Sequence, residues 1–434
     1  MDVPVHMRYL AILLLLCTSY TQAQYTITGR VLDERTNEAL AFVNIIPADV
    51  REGVTTDIDG RFTIAVRTLP VTLRFSYVGY AAQALEVSEG GQLTVRLQRT
   101  AVVLREAEVR AGENPAHRII ARVYANRKEN DGLRNRSHRY TSYSKTIFTA
   151  AVDSALLNDT ARMAALDTSD KAAIDFTERQ HLLLIESATR KSFIPPAAEK
   201  EEVLAMRVSG LKDPSLLAMA ASTKTFSIYA PQIIINEKSY LGPIGPNSTD
   251  RYLFVLQDTL YQGRDTVFVI SYQPRTGRKF DALKGFLWVH TDGYALQNVI
   301  AEPAETDGGT GLKLQQQFAK VLGVWFPVQL NTFLYFDFIQ VNDFKVMGIG
   351  RTYLKEIEVD VPIARKEVRG PELVMERMAV RRDEAFWAGL RTDTLAAKEL
   401  RTYHTIDSIS EAEGLEKKLK WLDRLTTGRV PIGP

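Results

Sequence analysis

The sequence predicts a mainly β chain: an N-terminal β-sandwich, a larger α+β unit built on a curved antiparallel sheet, and a helical C-terminal tail. Three observations predict it. Between residues 25 and 97, short alternating apolar segments recur with polar or glycine-containing turns between them, the texture of a sandwich. From residue 236 onward the alternating segments lengthen, and turns such as Asp292-Gly293 and Asp307-Gly308-Gly309 join them, as in a run of antiparallel hairpins. Near the end the period changes from two to that of a helix, with Leu415, Leu419, Leu422 and Leu425 forming one stripe before Gly428.

The 434 residues correspond to about two to four domains. Apolar residues make up 45% and charged residues 24%, the balance of a folded globular chain. The formal net charge of +2 supplies no basic domain or stripe, which argues against a dedicated nucleic-acid binder. A single cysteine excludes a disulfide scaffold, a cysteine-based zinc site and an iron–sulfur cluster.

Residues 1–23 read as a signal peptide. Arg8 precedes the apolar run YLAILLLLC at 9–17, which as a helix covers only about 14 Å of a hydrocarbon core about 30 Å thick. That length suits an h-region rather than a transmembrane span. Thr21-Gln22-Ala23 supplies small residues ahead of an expected cleavage before Gln24, and Met7 is an alternative start. Lipidation of Cys17 is disfavoured because Leu16 stands where a small residue is required. No later run of apolar residues is long enough to form a transmembrane helix.

Residues 24–100 form the expected sandwich, with strands at 25–32, 41–46, 61–66, 72–77, 81–87 and 92–97. The polar stretch from Asp33 to Glu38 is expected to close a first hairpin, and Gly60 and Gly79 to take turn positions. Asp57-Ile58-Asp59-Gly60 lacks the glycine and glutamate spacing of an EF-hand and reads as an Asx turn. In the second unit, 101–360, Asn114 caps a helix that opens with Pro115 and buries Ile119, Ile120, Val123 and Tyr124. A basic linker at 127–139 and a strand at 140–148 follow. A polar, alanine-rich stretch at 150–177, a strand at 181–187 and a helix at 211–228 come next. Long strands are then expected at 251–257, 265–272, 285–290, 295–301, 313–321, 328–338 and 343–354, curling around a helix. Residues 361–434 form a linker and C-terminal helices, the first capped by Asp393 or Thr394.

Two resemblances are carried by particular residues. Gly29-Arg30-Val31, the run from Ala39 to Ile45, Gly53-Val54-Thr55-Thr56-Asp57 with Asp59-Gly60 and Phe62, and Phe75-Ser76-Tyr77-Val78-Gly79-Tyr80 resemble the carboxypeptidase-regulatory-like domain. That resemblance implies a seven-stranded transthyretin/Ig-like sandwich of the kind found at the periplasmic start of outer-membrane proteins, TonB-dependent transporters among them. It implies no carboxypeptidase chemistry: those enzymes use a His-x-x-Glu zinc pair. Here the residues three beyond His117, His138, His181, His290 and His404 are Ile120, Thr141, Leu184, Gly293 and Asp407. A second set consists of Glu186-Ser187, Pro195, Lys200-Glu201-Glu202-Val203, Arg207-Val208-Ser209-Gly210-Leu211, Gly285-Phe286-Leu287-Trp288-Val289, Glu384-Ala385-Phe386-Trp387, Arg391, Asp393, Leu395, Glu399 and Thr402-Tyr403. It resembles an uncharacterised bacterial envelope family in which the regulatory-like domain precedes a domain of unknown function. Members typically continue into an outer-membrane β-barrel, and this chain ends at about the point where that barrel begins. The resemblance thus implies the periplasmic portion of a longer or split protein, against a stand-alone periplasmic one. The stretch from Lys284 to Val289 with Tyr294-Ala295-Leu296 also resembles the hairpins of periplasmic lipoprotein carriers.

Catalytic patterns are scarce. Ser142-Tyr143-Ser144-Lys145 fits Ser-x-x-Lys, but that motif needs a helix and this stretch alternates as a strand. Nucleophile elbows, Walker loops and dinucleotide fingerprints are absent from the sequence. Glu186, behind the apolar run 182–185, is the carboxylate expected to be buried, as a satisfied core residue rather than a general acid. The basic residues of 127–139 read as a solvated linker before a lipid-binding patch. Asp153-Ser154-Ala155 and Asp159-Thr160-Ala161 match short O-glycosylation triplets.

The expectation is a non-enzymatic cell-envelope module, exported to the periplasm and associated with the outer membrane, with no cofactor, no metal and no catalytic residue. Its expected partners are the outer membrane or a membrane β-barrel, and a lipid or envelope protein, met through exposed strand edges by β-augmentation. One alternative is a lipid or lipoprotein carrier, which requires an open apolar concave face. Another is a hydrolase with scattered carboxylates in a polar cleft. A third, a membrane barrel formed by 236–360, conflicts with the strand count.

Overall fold

The computed structural model describes residues 25–100, 114–152, 159–210, 226–235, 238–277, 280–305, 310–341, 344–392 and 394–414. The signal peptide, most of the helix expected at 211–228, the turn at 307–309, the triplet at 153–155, Asp393 and the leucine stripe from 415 lie outside them. The chain divides into two compact units, Met1–Val102 and Val103–Pro434.

The first unit is a sandwich of seven strands. Strands β1 (Tyr25–Asp33), β4 (Arg61–Val66) and β7 (Gln92–Leu97) form one sheet in the order β4-β1-β7. Strands β2 (Asn44–Pro47), β3 (Val54–Thr55), β5 (Val71–Ser76) and β6 (Gln83–Val87) form the other, in the order β3-β2-β5-β6. Alternation sends Ile27, Val31, Phe62, Ile64, Leu73, Phe75 and Val95 into one core between the sheets. Strand β3 escaped the sequence reading because two residues carry no period.

The first hairpin is corrected. Asp33 Oδ1 accepts from the amides of Arg35 and Thr36 at 2.9 and 2.8 Å, so the turn forms, but β1 pairs with β4 and β7 rather than with the next strand. After the single bridge Leu32–Ala39 the chain crosses to the other sheet. The Asx turn holds: Asp57 Oδ1 accepts from the amides of Asp59 and Arg61, and Gly60 takes φ 75°.

The second unit is built on one sheet of eleven strands. Helix α1 (Pro115–Asn130) starts where Asn114 Oδ1 accepts from the Ala116 amide, and it buries Ile119, Ile120 and Val123. The expected basic linker is instead the end of α1 plus the short helix α2 (Gly132–Asn135). In the last turns of α1, Arg127 lies over the Tyr124 ring, 3.8 Å from its centroid, and donates to the Tyr124 carbonyl. Strand β8 (His138–Val152) follows, then α3 (Thr160–Ala165) and α4 (Thr168–Arg179) in the alanine-rich stretch. Next come β9 (Leu183–Ile194), β10 (Ala198–Val208), β11 (Gln232–Ile235), β12 (Lys238–Leu241) and the turn α5 (Ser248–Arg251). The long strands are β13 (Tyr252–Gln262), β14 (Asp265–Pro274), β15 (Leu283–His290), β16 (Ala295–Pro303), β17 (Thr310–Val321), β18 (Val324–Val341) and β19 (Phe344–Val359). Strand β20 (Leu373–Met375) and helices α6 (Glu384–Leu390) and α7 (Ala397–Glu413) complete the described part. Strand β10, AEKEEVLAMRV, went unread because its first half is charged; β9 supplies its pairing partner.

The order is β13-β14-β15-β16-β17-β18-β19-β8-β9-β10-β20, antiparallel except for β10–β20. Bulges in β13, β15–β16, β17–β18, β19 and β10 bend the sheet. It does not close into a barrel among the described residues. Helix α1 lies across one face: Asn114 Nδ2 donates to the Phe254 carbonyl on β13, and Asn126 and Asn130 reach the Gly293 carbonyl beyond β15. Between them Ile120, Val123, Tyr229, Phe254, Leu287 and Leu314 close a filled apolar core.

Each end of the sheet meets a segment from outside its long strands. Asn114 occupies the Phe254 carbonyl on β13, while β20, the Glu376 amide and Arg382 Nε cover β10 as far as the Leu204 carbonyl.

Candidate functional site

On the sheet face opposite α1, alternation on β8 points Tyr143, Lys145 and Ile147 one way and Ser142 and Ser144 the other. Register places Glu186 of β9 directly between Lys145 and Arg207 of β10. Glu186 is 0% exposed, and an isolated charge there would be costly. Four donors resolve it. Arg391, just past α6, donates Nε to Oε1 at 2.7 Å and Nη2 to Oε2 at 2.8 Å. The Tyr143 hydroxyl donates to Oε1 at 2.7 Å and the Tyr403 hydroxyl of α7 to Oε2 at 2.8 Å. Burial alone would raise this carboxyl, but the Arg391, Tyr143 and Tyr403 hydrogen bonds outweigh it and hold Glu186 below the usual carboxylate range. Glu186 is therefore an ionised, saturated acceptor with no proton to give.

A second buried pair sits beside it. Lys145 Nζ meets Glu399 Oε1 at 2.7 Å, both nearly inaccessible, and Glu399 Oε2 accepts from the Ala396 amide at 2.9 Å. Helix α7 also docks on α4, where Lys398 and Arg401 donate to the carbonyls of Thr177 and Arg179. Cations there satisfy the helix's orphan acceptors and oppose its negative end. The Gly210 amide donates to Asp407 at 2.6 Å, and Arg207 stacks on the Tyr403 ring with 3.7 Å to its centroid. Trp387 packs into Tyr143, Ala188 and Leu204. The arrangement fastens 384–413 to the sheet by charge and hydrogen bonds around a small apolar contact.

Ser142 and Lys145 point to opposite faces of β8, and Ser142 Oγ bonds Thr189 Oγ1 at 2.8 Å, so the Ser-x-x-Lys pattern brings no lysine onto a serine. His138 stacks between Tyr140 and Phe193. Burial pushes it and His181 down to about 4. Among the described residues no three His, Cys, Asp or Glu side chains gather as a metal requires. Asp159, in the second glycosylation triplet, instead accepts from the Ala161 amide.

Two depressions mark the same face. A polar one of about 430 Å³ lies near Arg139, Arg190, Ser192 and Lys200. Its carboxylates Glu202 and Glu367 pair with Lys200 at 3.0 Å and Arg139 at 2.7 Å. An apolar slot of about 190 Å³ lies across β13–β16, floored by Leu253, Val255, Phe286 and Ile300, with Lys284 and Glu302 at its edge.

Sequence reading picked out Glu186 and named Arg207, Arg391, Glu399 and Tyr403 among the residues of the envelope-family resemblance. The structure brings all five together. It adds Tyr143 and Lys145, which carried no signal beyond strand alternation, and the slot, whose lining residues are ordinary strand residues.

Fold and site define a two-part β protein in which a sandwich precedes a broad sheet with its helical tail locked down. Residues 27–109 match the CarboxypepD_reg-like domain. Residues 119–349, more than half of the chain, match the family of unknown function DUF5686, and the chain belongs to that family. A TonB-dependent receptor of Formosa agariphila is 34% identical over 86 residues, which are 20% of this chain and 9% of the receptor. The chain thus spans under a tenth of that relative. A DUF1329 family protein from Desulfovibrio piger aligns with a TM-score of 0.25 at 10% identity, covering 59% of this chain and 98% of that one. A putative outer membrane lipoprotein-sorting protein domain from Vibrio parahaemolyticus aligns with a TM-score of 0.24 at 8% identity, covering 58% and 97%.

Proposed function

We propose that this chain is a non-enzymatic module of the cell envelope, the periplasmic portion of an outer-membrane-associated protein, and that it binds or docks a ligand or partner. The observation that carries this reading is the use made of the buried charge. Glu186 and Glu399 are both saturated by partners that hold the tail helices down, a fastening role rather than a proton-transfer one. The carboxylates of the polar depression are likewise engaged by Lys200 and Arg139. The regulatory-like match and the TonB-dependent relative support an envelope setting.

The carrier alternative is weakened by the face that holds α1, where aromatic and aliphatic side chains fill the space an acyl chain would need. The hydrolase alternative rests on the polar depression. Density-gradient fractionation of cells expressing the tagged natural gene product tests the proposal, with co-migration with outer-membrane markers as the expected result. Retention in the cytoplasm sinks it. Turnover of ester, peptide or glycoside reporters that is lost in Glu202→Gln or Glu367→Gln would replace it with the hydrolase.

A further inference from the structure

The slot across β13–β16 lies on the face turned away from the filled core, and its floor follows from register. Val255, Ser271, Phe286 and Ile300 are successive cross-strand partners on four strands. Ser271 is the small member of that row, so the sheet surface dips between Val255 and Phe286, where Gln257 Nε2 donates to the Ser271 hydroxyl at 2.8 Å. One step along, Lys284 faces Glu302. Lys313 Nζ already stands 4.0 Å from the Glu302 carboxylate. Lys313, on β17 beyond the slot, thus shares the Glu302 carboxylate, and among the described residues Lys284 has no carboxylate of its own. An apolar cavity of about 150 Å³ holds a benzene ring, so a slot of about 190 Å³ has room for roughly half a dozen carbons.

We propose that this slot binds a fatty-acid carboxylate, the alkyl end on the Leu253, Val255, Phe286 and Ile300 floor and the carboxylate beside Lys284. Apolar lining, volume and surplus positive charge at one edge together fit that occupant; a neutral apolar molecule leaves Lys284 unanswered. The inference names a ligand class for the binding role proposed above and rests on it.

Isothermal titration of the purified chain with straight-chain carboxylates from butanoate to dodecanoate tests it. Affinity is expected to rise about fourfold per added carbon and to level off once the slot is full, at about seven carbons. Ser271→Leu fills the dip and is expected to abolish octanoate binding. Lys284→Glu is expected to weaken octanoate about tenfold and leave octanol unchanged. Lys284 is exposed, so that arm stands even if Ser271→Leu fails to fold, which thermal unfolding reveals. Absence of binding, absence of chain-length dependence, or octanoate affinity unchanged in folded Ser271→Leu overturns the proposal. Equal losses of octanoate and octanol in Lys284→Glu overturn the carboxylate assignment. Failure of this ligand leaves the envelope role standing, because fractionation reads that role separately.

Discussion

Arg391 grips Glu186 through two parallel hydrogen bonds, 2.7 and 2.8 Å long, across 205 residues of sequence. The arginine is 6% and the glutamate 0% accessible at the side chain. The planar guanidinium also meets Glu384 at the start of α6, so one side chain joins sheet and tail. Bidentate geometry of this kind cannot be reproduced by lysine.

Removing either partner leaves a buried charge with its strongest pairing lost, although Arg391 keeps Glu384 and Glu186 keeps the Tyr143 and Tyr403 hydroxyls. Glu186→Gln and Arg391→Met are each expected to destabilise the chain by about 3–5 kcal/mol, read by denaturant unfolding. The double variant is expected to cost less than the sum of the two. Additive losses mean that the pair is not coupled and that the fastening lies elsewhere.

The neighbouring pair is expected to act locally. Among the described residues, Lys145→Met leaves Glu399 buried with one remaining donor, the Ala396 amide, and costs about 1–3 kcal/mol. Hydrogen exchange in α7 is expected to accelerate while α1, in the separate core, keeps its protection. Uniform acceleration in both helices contradicts a local latch.

Stability is expected to depend on pH through opposed groups, Asp131 on one side and the buried histidines His138 and His181 on the other. Burial raises the Asp131 carboxyl to about 6, against the stabilising hydrogen bond from Ser227. Between about pH 4 and 6 the folded state therefore binds more protons than the unfolded one, and this group's contribution falls as pH rises through that window. Asp131→Asn is expected to gain about 2 kcal/mol at pH 7.5. His138, pushed down to about 4 by burial, works the other way. Its unfolded form protonates first, so stability is lost as pH falls from about 6.5 toward 4. His138→Gln is expected to flatten that acid limb in thermal melts taken across pH; an unchanged slope refutes the assignment.

Two glycines separate lack of space from backbone conformation. A Cβ on Gly285 would lie 2.0 Å from the Ile300 carbonyl oxygen, at φ 152°. The Tyr272 hydroxyl donates to that same carbonyl at 3.2 Å. Gly285→Ala is expected to cost about 3 kcal/mol or more. Gly79, at φ 85° with nothing near, is expected to cost only about 1–2 kcal/mol as alanine. Comparable losses by calorimetry would mean that the β15–β16 approach yields easily.

Legibility in the sequence followed the range of each signal. Strands β4 and β7 emerged with their ends in place because alternation and flanking turns are local. The α1 cap was legible because Asn114 and Pro115 adjoin the helix they start. Strand β10 was not, since its charged first half mimics a loop until β9 pairs with it. Glu186 was marked by the apolar run before it, and Arg391 and Tyr403 by the family resemblance, but nothing local joined them to it, and Tyr143 reads as one more strand residue.

By itself the sequence determined the β-rich class, six of the seven sandwich strands, most of the long strands and the position of α1, since periodicity, capping and turn chemistry act over a few residues. Only the tertiary structure decided that Glu186, Lys145, Arg391, Glu399 and Tyr403 converge, that the α1 face is filled, and that a small serine opens a slot on the other face. These depend on which strands become neighbours and in what register. A shift of one residue would turn Glu186 to the opposite face and separate it from Arg391.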